Sequence, residues 1–355
     1  MFELIHGGDI YTARENFAGE LLDFSANINP LGLPIGVEKA LVNSICDCTN
    51  YPDPLCRELT LAIAQNENIQ PESILCGSGA SDIIYRVAYA THPKKAVVAA
   101  PCFAEYEQAL NAAGCEVYHH ILHEKDEFTL TDSILQVLTG DIDILFLCSP
   151  NNPTGAPVER ELLIKILKQC DKNNIIFVLD ECFNDFLDDP QTYTMKQYIS
   201  GHNNLIILRA FTKMYALAGV RLGYALCQNH TLLGKMYACG SPWGVSSLAQ
   251  AAGIQALKEG DFVLETKALI KKERAFLKAG LSGLGCRVYA SHANYIFFSP
   301  HVKGLCKKLE ESGILVRSCE NYKGLQGEYC RIAVKTHSEN ERLLCAMEEL
   351  AKCPC

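Results

Sequence analysis

Arg209-Ala-Phe-Thr-Lys-Met-Tyr-Ala-Leu-Ala-Gly-Val-Arg-Leu-Gly-Tyr224 is the stretch of this sequence around which the other motifs are arranged. It follows the apolar run Leu205–Leu208, which is typical of a short buried strand. Its single lysine, Lys213, has mostly apolar neighbours, and burial lowers the pKa of a lysine and frees its amine as a nucleophile. Arg221 follows as a fixed cation suited to a phosphate. A lysine and an arginine on a surface loop would give the same short pattern. Other segments of the sequence must therefore show whether this stretch belongs to a functional site.

The composition bounds the class of protein. The 355 residues are 48% hydrophobic and 21% charged, which is ordinary for a globular chain and enough for a large core and two domains. A net charge of −9 argues against nucleic acid or an anionic membrane as partner. No stretch approaches the roughly 20 apolar residues of a membrane span, and the N-terminus lacks the features of a signal peptide. We therefore expect a cytoplasmic protein whose cations are concentrated in one site if it binds an anion.

Cysteine is unusually frequent, with 18 residues and no CxxC pair. The only close pairs are Cys46 with Cys48 and Cys353 with Cys355, and their spacing does not match the common zinc sites. We expect reduced thiols, many of them small core residues, and no metal.

Apolar strand patterns alternate with helical patterns through the middle of the chain, which predicts an α/β fold with a largely parallel sheet. Asp23–Pro34 is rich in turn-forming residues, so residues 1–35 are predicted to form an extended arm. Residues 36–240 are predicted to form a large domain. Residues 241–355, which include a long helix at Asp261–Leu281, are predicted to form a smaller C-terminal domain.

Two polar motifs follow predicted strands. Gly77-Ser-Gly-Ala-Ser-Asp82 lies between a strand and a helix, where glycines and the free N–H groups of a helix start can hold a phosphate. A plain strand-to-helix turn is the alternative interpretation. Asp180 ends another strand, and open α/β sheets bind ligands at such ends. A structural salt bridge is the alternative for this acid.

Two more motifs follow strands in the same way. Ser149-Pro-Asn-Asn-Pro-Thr-Gly155 offers asparagine side chains, and Pro101-Cys-Phe-Ala-Glu-Tyr106 offers an aromatic face in Phe103. A ligand-free loop and ordinary core packing are the respective alternatives. Taken together, a phosphate cradle, an aromatic ring, an asparagine, an acid, a lysine and an arginine match the needs of pyridoxal 5′-phosphate.

The motifs Ser149–Gly155, Asp180-Glu and Thr212-Lys-Met-Tyr-Ala-Leu-Ala-Gly-Val-Arg resemble fold-type I pyridoxal-phosphate enzymes of the histidinol-phosphate aminotransferase-like branch, over essentially the whole chain. The resemblance implies a mostly parallel seven-stranded sheet in the large domain, a smaller α+β C-terminal domain and an N-terminal arm. It implies that Lys213 binds the cofactor covalently and that Asp180 pairs with the pyridine nitrogen.

The same resemblance assigns the other contacts. Asn152 would bind the ring hydroxyl and face the substrate, and Arg331 would bind the substrate α-carboxylate. Phe103 would stack on the ring. The cofactor phosphate would be surrounded by Gly79, Ala80, Ser81, Thr212, Arg221 and, from the other subunit, Tyr51. The role of Tyr51 implies a homodimer.

The arm carries a narrower resemblance. His6-Gly-Gly-Asp-Ile and Asp23-Phe-Ser-Ala-Asn-Ile-Asn-Pro-Leu-Gly32 are similar to the threonine-phosphate decarboxylase family of cobalamin biosynthesis. The similarity implies conversion of L-threonine O-3-phosphate to (R)-1-amino-2-propanol O-2-phosphate, with His6, Asn27 and Arg317 holding the substrate phosphate.

Two positions depart from the aminotransferase pattern. Phe183 stands where aminotransferases usually have tyrosine, which favours the decarboxylase branch, and Ala210 replaces a phosphate-binding serine or threonine. Histidinol-phosphate aminotransferase and a non-enzymatic cofactor-binding protein remain the alternatives. Whether serine phosphate is also a substrate stays open.

Overall fold

In the computed structural model, residues 7–17 and 19–352 are described, and within them the chain forms thirteen strands and thirteen α-helices. The strands are β1 (Leu22–Asp23), β2 (Ile74–Gly77), β3 (Lys95–Ala100), β4 (Glu116–Ile121), β5 (Ile144–Cys148), β6 (Ile176–Asp180), β7 (Leu205–Ala210), β8 (Gly223–Leu226), β9 (Arg287–Val288), β10 (Tyr295–Ser299), β11 (Ile314–Leu315), β12 (Arg317–Ser318) and β13 (Cys330–Ala333). The helices are α1 (Ile10–Asn16), α2 (Ile35–Asn43), α3 (Arg57–Glu67), α4 (Ala80–Thr91), α5 (Glu105–Ala112), α6 (Arg160–Asn173), α7 (Pro190–Tyr193), α8 (Phe211–Met214), α9 (His230–Ala238), α10 (Ser247–Ala256), α11 (Gly260–Gly283), α12 (Leu305–Glu311) and α13 (His337–Lys352).

The large sheet has seven strands in the order β2-β8-β7-β6-β5-β3-β4. Strands β3 to β7 run parallel, and β8 is antiparallel to both of its neighbours, β7 and β2. The central strands β5, β6 and β7 are almost entirely buried apolar runs, which is expected of parallel strands covered on both faces. The predicted α/β class and the mostly parallel seven-stranded sheet are therefore confirmed.

Helices cover both faces of this sheet because successive strand residues point to opposite sides. Leu145 and Ile207 belong to one buried cluster, together with residues of α3, α6 and α10. Phe146 and Ile206, their chain neighbours, belong to a second cluster with residues of α4, α5 and α9. The carboxyl ends of the parallel strands stay uncovered by these helices and meet at one edge of the sheet.

A second sheet forms in the C-terminal part, with the antiparallel order β12-β13-β10-β9. A third cluster packs it against α11, α12 and α13 through Leu277, Leu305 and Leu343. Helix α10 packs against α2 and α3, which precede the large sheet in the chain. The predicted domain limits at residues 36–240 and 241–355 remain a prediction.

The N-terminal arm is tied to this second unit. Strand β1 pairs in parallel with β11, and the Ala333 N–H donates to the Phe24 carbonyl at 2.8 Å. The arm is not extended throughout as predicted, because Ile10–Asn16 is a helix whose first turn is capped by Asp9, which accepts from the Thr12 N–H. The pairing of β1 holds residues 25–27 next to the end of the large sheet. Within the described ranges, no helix is long and apolar enough to cross a membrane.

Candidate active site

The carboxyl ends of the parallel strands border a cavity of about 250 Å³. The predicted site residues that line it come from both sheets and from the arm; they are Asn27, Ala80, Ser81, Phe103, Asn152, Asp180, Thr212, Lys213, Arg221, Arg317 and Arg331. Residues more than 300 positions apart in sequence thus meet at one edge of the large sheet. Phe183 and Ala210, the two positions that depart from the aminotransferase pattern, also line the cavity.

Lys213 lies in α8, the short helix that directly follows β7. Its Nζ is 5.9 Å from the centre of the Phe183 ring. Burial, and secondarily the nearby Arg331 guanidinium, lower the pKa of Lys213 from an ordinary 10.5 to about 8. A much larger fraction of this amine than of an ordinary lysine is therefore neutral near physiological pH, and the neutral amine is the form that attacks a carbonyl carbon.

Asp180 is the last residue of β6 and is buried. The Tyr106 hydroxyl donates to its Oδ2 at 2.6 Å, and the Cys182 N–H donates to its Oδ1 at 2.9 Å. Among the described residues Asp180 forms no salt bridge within 4.0 Å, so the structural ion pair considered from the sequence is wrong. Two neutral donors hold the carboxylate instead, and the acid is left to pair with a ligand.

The glycine motif and Arg221 form one end of the cavity. The Arg221 Nη2 donates to the Ser81 hydroxyl at 3.1 Å, and Nη1 donates to the Ala218 carbonyl at 3.2 Å. Gly79 has φ +85°, and a Cβ there would lie 2.6 Å from Arg221 Nη2, so only glycine lets the guanidinium approach this closely. Ala80 and Ser81 are the first residues of α4, and their N–H groups have no partner within the helix. The Arg221 guanidinium, the Ser81 hydroxyl and the free N–H groups at the start of α4 together form a site suited to an anion.

Arg331 and Asn152 contact each other at the other end. The Arg331 Nη1 donates to Asn152 Oδ1 at 2.6 Å, and Nη2 donates to the Ser25 carbonyl of the arm at 2.6 Å. The Arg331 Nε is buried and has no hydrogen-bond partner among the described residues. A buried arginine N–H group without a hydrogen-bond partner is energetically unfavourable. This end of the cavity is therefore suited to a carboxylate, which can accept from it.

Arg317 and Asn27 lie near this end as well. Arg317 stacks over the Tyr322 ring at 5.3 Å and donates to Asn321 Oδ1 at 2.8 Å. Asn27 is buried, and its Oδ1 has no partner within the described part of the chain. Both residues border the cavity, which is the position predicted for ligands of a substrate phosphate.

Two predicted residues of the described part of the chain, Gly79 and Tyr51, are not among the residues that line the cavity. His6 lies outside the described residues. Tyr51 is 80% exposed and does not line the cavity of its own chain; its ring stacks on Trp243 with centroids 4.6 Å apart.

Sequence reasoning missed two lining tyrosines. Tyr106 lies in the first turn of α5, three positions after Phe103, and the two rings are in contact with centroids 5.6 Å apart. That spacing could have indicated a second site residue. Tyr322 lies in the loop between β12 and β13, and no sequence pattern marks it.

The charges of the wall define what the cavity can bind. Lys213 and three arginines line it, whereas Asp180 is its only acid among the described lining residues. The protein as a whole carries a net charge of −9. Such an excess of cations in a partly buried site requires anions for compensation. A nucleophilic amine, an acid and a phosphate cradle in one cavity fit pyridoxal 5′-phosphate, and the remaining arginines fit an anionic substrate.

Comparisons with known proteins agree with this geometry. Residues 19–347 match the family described as aminotransferase class I and II. The threonine-phosphate decarboxylase of Salmonella typhimurium is 38% identical over 356 residues, covering 99% of this chain and 97% of that protein. The structure of the histidinol-phosphate aminotransferase from Clostridium acetobutylicum has a TM-score of 0.88 and 30% identity, covering 94% of this chain and 99% of its own. L-threonine-O-3-phosphate decarboxylase from Porphyromonas gingivalis has a TM-score of 0.82 and 26% identity, covering 94% and 100%.

Competitive labelling with acetic anhydride will test the state of the lysine. In the cofactor-free protein, acetylation of Lys213 should follow a titration with a midpoint near pH 8, because only the neutral amine reacts and burial lowers its pKa to about 8. Lys95 is the internal control, since its hydrogen bond to Asp141 raises its pKa above the ordinary value. Peptide mapping by mass spectrometry gives both curves, and a midpoint for Lys213 at or above that of Lys95 would contradict the assignment.

Proposed function

This chain belongs to the aminotransferase class I and II family, and we propose that it is a pyridoxal-phosphate-dependent decarboxylase of L-threonine O-3-phosphate. The product would be (R)-1-amino-2-propanol O-2-phosphate, and the resemblance to decarboxylases of cobalamin synthesis implies that pathway. The observation that carries the proposal is the cavity, whose described lining residues place three arginines around Lys213 and a single acid. One arginine suits the cofactor phosphate, and the other two suit a substrate that carries a carboxylate and a phosphate.

The cofactor would be held by the residues at the ends of the large sheet. Gly79, Ala80, Ser81, Thr212 and Arg221 would bind its phosphate. Lys213 would bind it covalently, Asp180 would pair with the ring nitrogen, Phe103 would stack on the ring and Asn152 would bind the ring hydroxyl. When bound, pyridoxal 5′-phosphate supplies a ring that accepts the electrons of the bond broken at the substrate α-carbon.

The substrate would be oriented by its two anionic groups. Arg331 would bind the carboxylate, and Arg317 with Asn27 and His6 would bind the phosphate. Two anchors fix the rotation about the bonds of the α-carbon, and positioning of this kind is a large part of enzymatic catalysis. The arm and the second sheet, rather than the large sheet, would therefore select which bond of the α-carbon breaks.

Decarboxylation breaks the bond between the α-carbon and the carboxylate carbon, releases CO₂ and returns one proton to the α-carbon. Lys213 is the group on this chain that can donate that proton, because its pKa of about 8 lets Nζ carry and release it near neutral pH. Arg317 would hold the phosphate of the product in place while the proton is transferred.

Histidinol-phosphate aminotransferase is the second candidate, and the similarity to the Clostridium acetobutylicum structure favours it. Phe183 argues against it, because this ring lies 5.9 Å from Lys213 Nζ and offers no hydroxyl to the cofactor. Serine phosphate differs from threonine phosphate by one methyl group, which changes selectivity by only about 1–3 kcal/mol.

Carbon dioxide release from threonine phosphate tests the reaction. The holoenzyme should release CO₂ from carboxyl-labelled L-threonine O-3-phosphate in the absence of any 2-oxo acid, because decarboxylation needs no amino acceptor. The Lys213→Ala variant should fall to the background of protein-free cofactor, since it lacks the nucleophilic amine. Labelled CO₂ and the amine product are measured together.

Two outcomes of that assay would speak against the proposal. Turnover only when histidinol phosphate and 2-oxoglutarate are both present would favour the aminotransferase. Near-normal release by a folded Lys213→Ala variant would remove the proposed role of the lysine.

The Arg317→Gln variant tests the substrate phosphate site. Loss of a charge-assisted hydrogen bond should raise KM for threonine phosphate by about 10-fold to 100-fold. The dissociation constant of pyridoxal 5′-phosphate should change little, because the proposed cofactor phosphate site uses Arg221. The control is Arg342→Gln, which removes a surface arginine paired with Glu20 and should leave both constants unchanged. An unaltered KM in Arg317→Gln would exclude this arginine as a phosphate ligand.

We further propose that the enzyme acts in the cytoplasm as a homodimer. Large apolar side chains are exposed along α2 and the turn that follows it, with Ile35 at 70%, Val42 at 60% and Ile45 at 60%. Exposed apolar side chains grouped in this way are typical of an interface. Tyr51 and Trp243 extend the same exposed region, and Arg221 at the phosphate end of the cavity is itself exposed. A second copy would cover that end and bring its own Tyr51 to the cofactor phosphate.

Subunit complementation tests the shared site. Tyr51→Ala and Lys213→Ala are each expected to be impaired, whereas dimers re-formed from an equal mixture should recover about a quarter of wild-type activity, since half are mixed and each mixed dimer has one intact site. The matched control mixes Lys213→Ala with Asp180→Asn. Both of these residues belong to the cavity of one chain, so no mixed dimer regains an intact site. Absence of recovery in the Tyr51 mixture would contradict a Tyr51 that serves the other subunit.

A further inference from the structure

Tyr106 is a buried residue of the cavity wall that the proposed reaction has not used. Its ring stacks on Phe146 with centroids 5.4 Å apart and an interplanar angle of 22°. Phe103 meets the same ring edge to face at 5.6 Å and 81°. The ring is completely buried, so these two neighbours fix its orientation, and its hydroxyl points to Asp180 Oδ2 at 2.6 Å. A tyrosine placed in this way is a fixed hydrogen-bond donor rather than a filler of the core.

Two hydrogen-bond donors hold the carboxylate of the buried Asp180 in place. In the described structure those donors are the Tyr106 hydroxyl and the Cys182 N–H, with no salt-bridge partner within 4.0 Å. Burial raises the pKa of Tyr106 well above its ordinary value, so the shared proton stays on the phenol. Each carboxylate oxygen accepts one donor and keeps a further lone pair for a ligand.

We propose that Tyr106 is a positioning residue that acts through Asp180: its hydroxyl holds the carboxylate in the orientation that pairs with the ring nitrogen of the cofactor. The inference rests on the proposed cofactor and adds a residue that neither the motifs nor the comparisons single out. Without this donor, Asp180 Oδ2 loses the contact that fixes its direction, so the carboxylate is less well placed to pair with the ring nitrogen. The cofactor is then bound less tightly.

The chain offers a matched control in Tyr224. Its hydroxyl donates to Glu67 Oε1, also at 2.6 Å, and its side chain is buried. Tyr224 lies outside the described wall of the active-site cavity. Tyr224→Phe therefore removes the same kind of bond, from a buried tyrosine to a buried carboxylate, without touching the cofactor site.

The test measures binding to the cofactor-free protein rather than turnover. Pyridoxal 5′-phosphate is compared with its 1-deaza analogue, in which a C–H group replaces the ring nitrogen and cannot pair with Asp180. We expect Tyr106→Phe to weaken binding of pyridoxal 5′-phosphate about tenfold or more, because the charge-assisted hydrogen bond between Asp180 and the ring nitrogen would be lost. Binding of the analogue should change less than about twofold in the same variant, because it makes no use of the carboxylate. Tyr224→Phe should alter neither dissociation constant.

A second variant keeps the test decisive if Tyr106→Phe does not fold. Tyr106→Met fills a similar space without a donor and should show the same preference for the analogue. Equal weakening of both ligands would overturn the proposal, because it would mean that Tyr106 only shapes the cavity. Unchanged binding of both ligands would overturn it as well. If the wild-type protein binds neither ligand, the proposed function fails instead, which separates the two conclusions.

Discussion

A buried ion pair ties together the two strand ends on which the candidate site depends. Arg209 Nη2 lies 2.9 Å from Glu181 Oε2, and both side chains are almost fully buried. Glu181 follows Asp180 at the end of β6, and Arg209 precedes the short helix that carries Lys213. Thr194 and the Met195 N–H also donate to Glu181, and Glu67 further compensates the arginine charge. Removal of one partner from such a pair costs about 3–5 kcal/mol, because a charge is left buried and unpaired. The ion pair therefore fixes the positions of Asp180 and Lys213 relative to each other.

In contrast to this ion pair, the positive charges around the cavity are not compensated by an equal number of acids among the described residues. Among the described lining residues, Lys213 and three arginines surround one acid, so the charges of this part of the wall do not balance without ligands. Burial among cations explains why the pKa of Lys213 falls to about 8, and this neutral amine is what a covalent cofactor site requires. Although the protein is acidic overall, cations are concentrated in the cavity, where a phosphate and a second anion would be bound. The same imbalance gives the free protein an electrostatic reason to bind its cofactor tightly.

The groups proposed to bind the cofactor and those proposed to bind the substrate come from different parts of the fold. This separation explains how relatives with different activities can share the fold. The large sheet and the segments that follow its strands supply Asp180, Lys213 and the glycine turn, which are the groups proposed to bind the cofactor. The groups proposed to contact the substrate come from elsewhere: Asn27 from the arm, and Arg317 with Arg331 from the second sheet. Pairing of β1 with β11 joins these two sources, so the substrate side of the cavity forms as one unit. Differences in this unit can change the bond that is broken while the cofactor side remains the same.

The sequence by itself determined the α/β class, the mostly parallel sheet and the identity of the groups at the strand ends. It could do so because apolar runs, glycine turns and polar strand ends are local patterns, and parallel strands bring their carboxyl ends to one edge. Only the tertiary structure decided which of these groups touch. Tyr106 reaches Asp180 across 74 positions, and Arg331 reaches Asn152 across 179. The sequence also left the arm as an extended segment, whereas it contains a helix and a strand pair. Such contacts depend on packing between distant segments, which no local pattern of residues records.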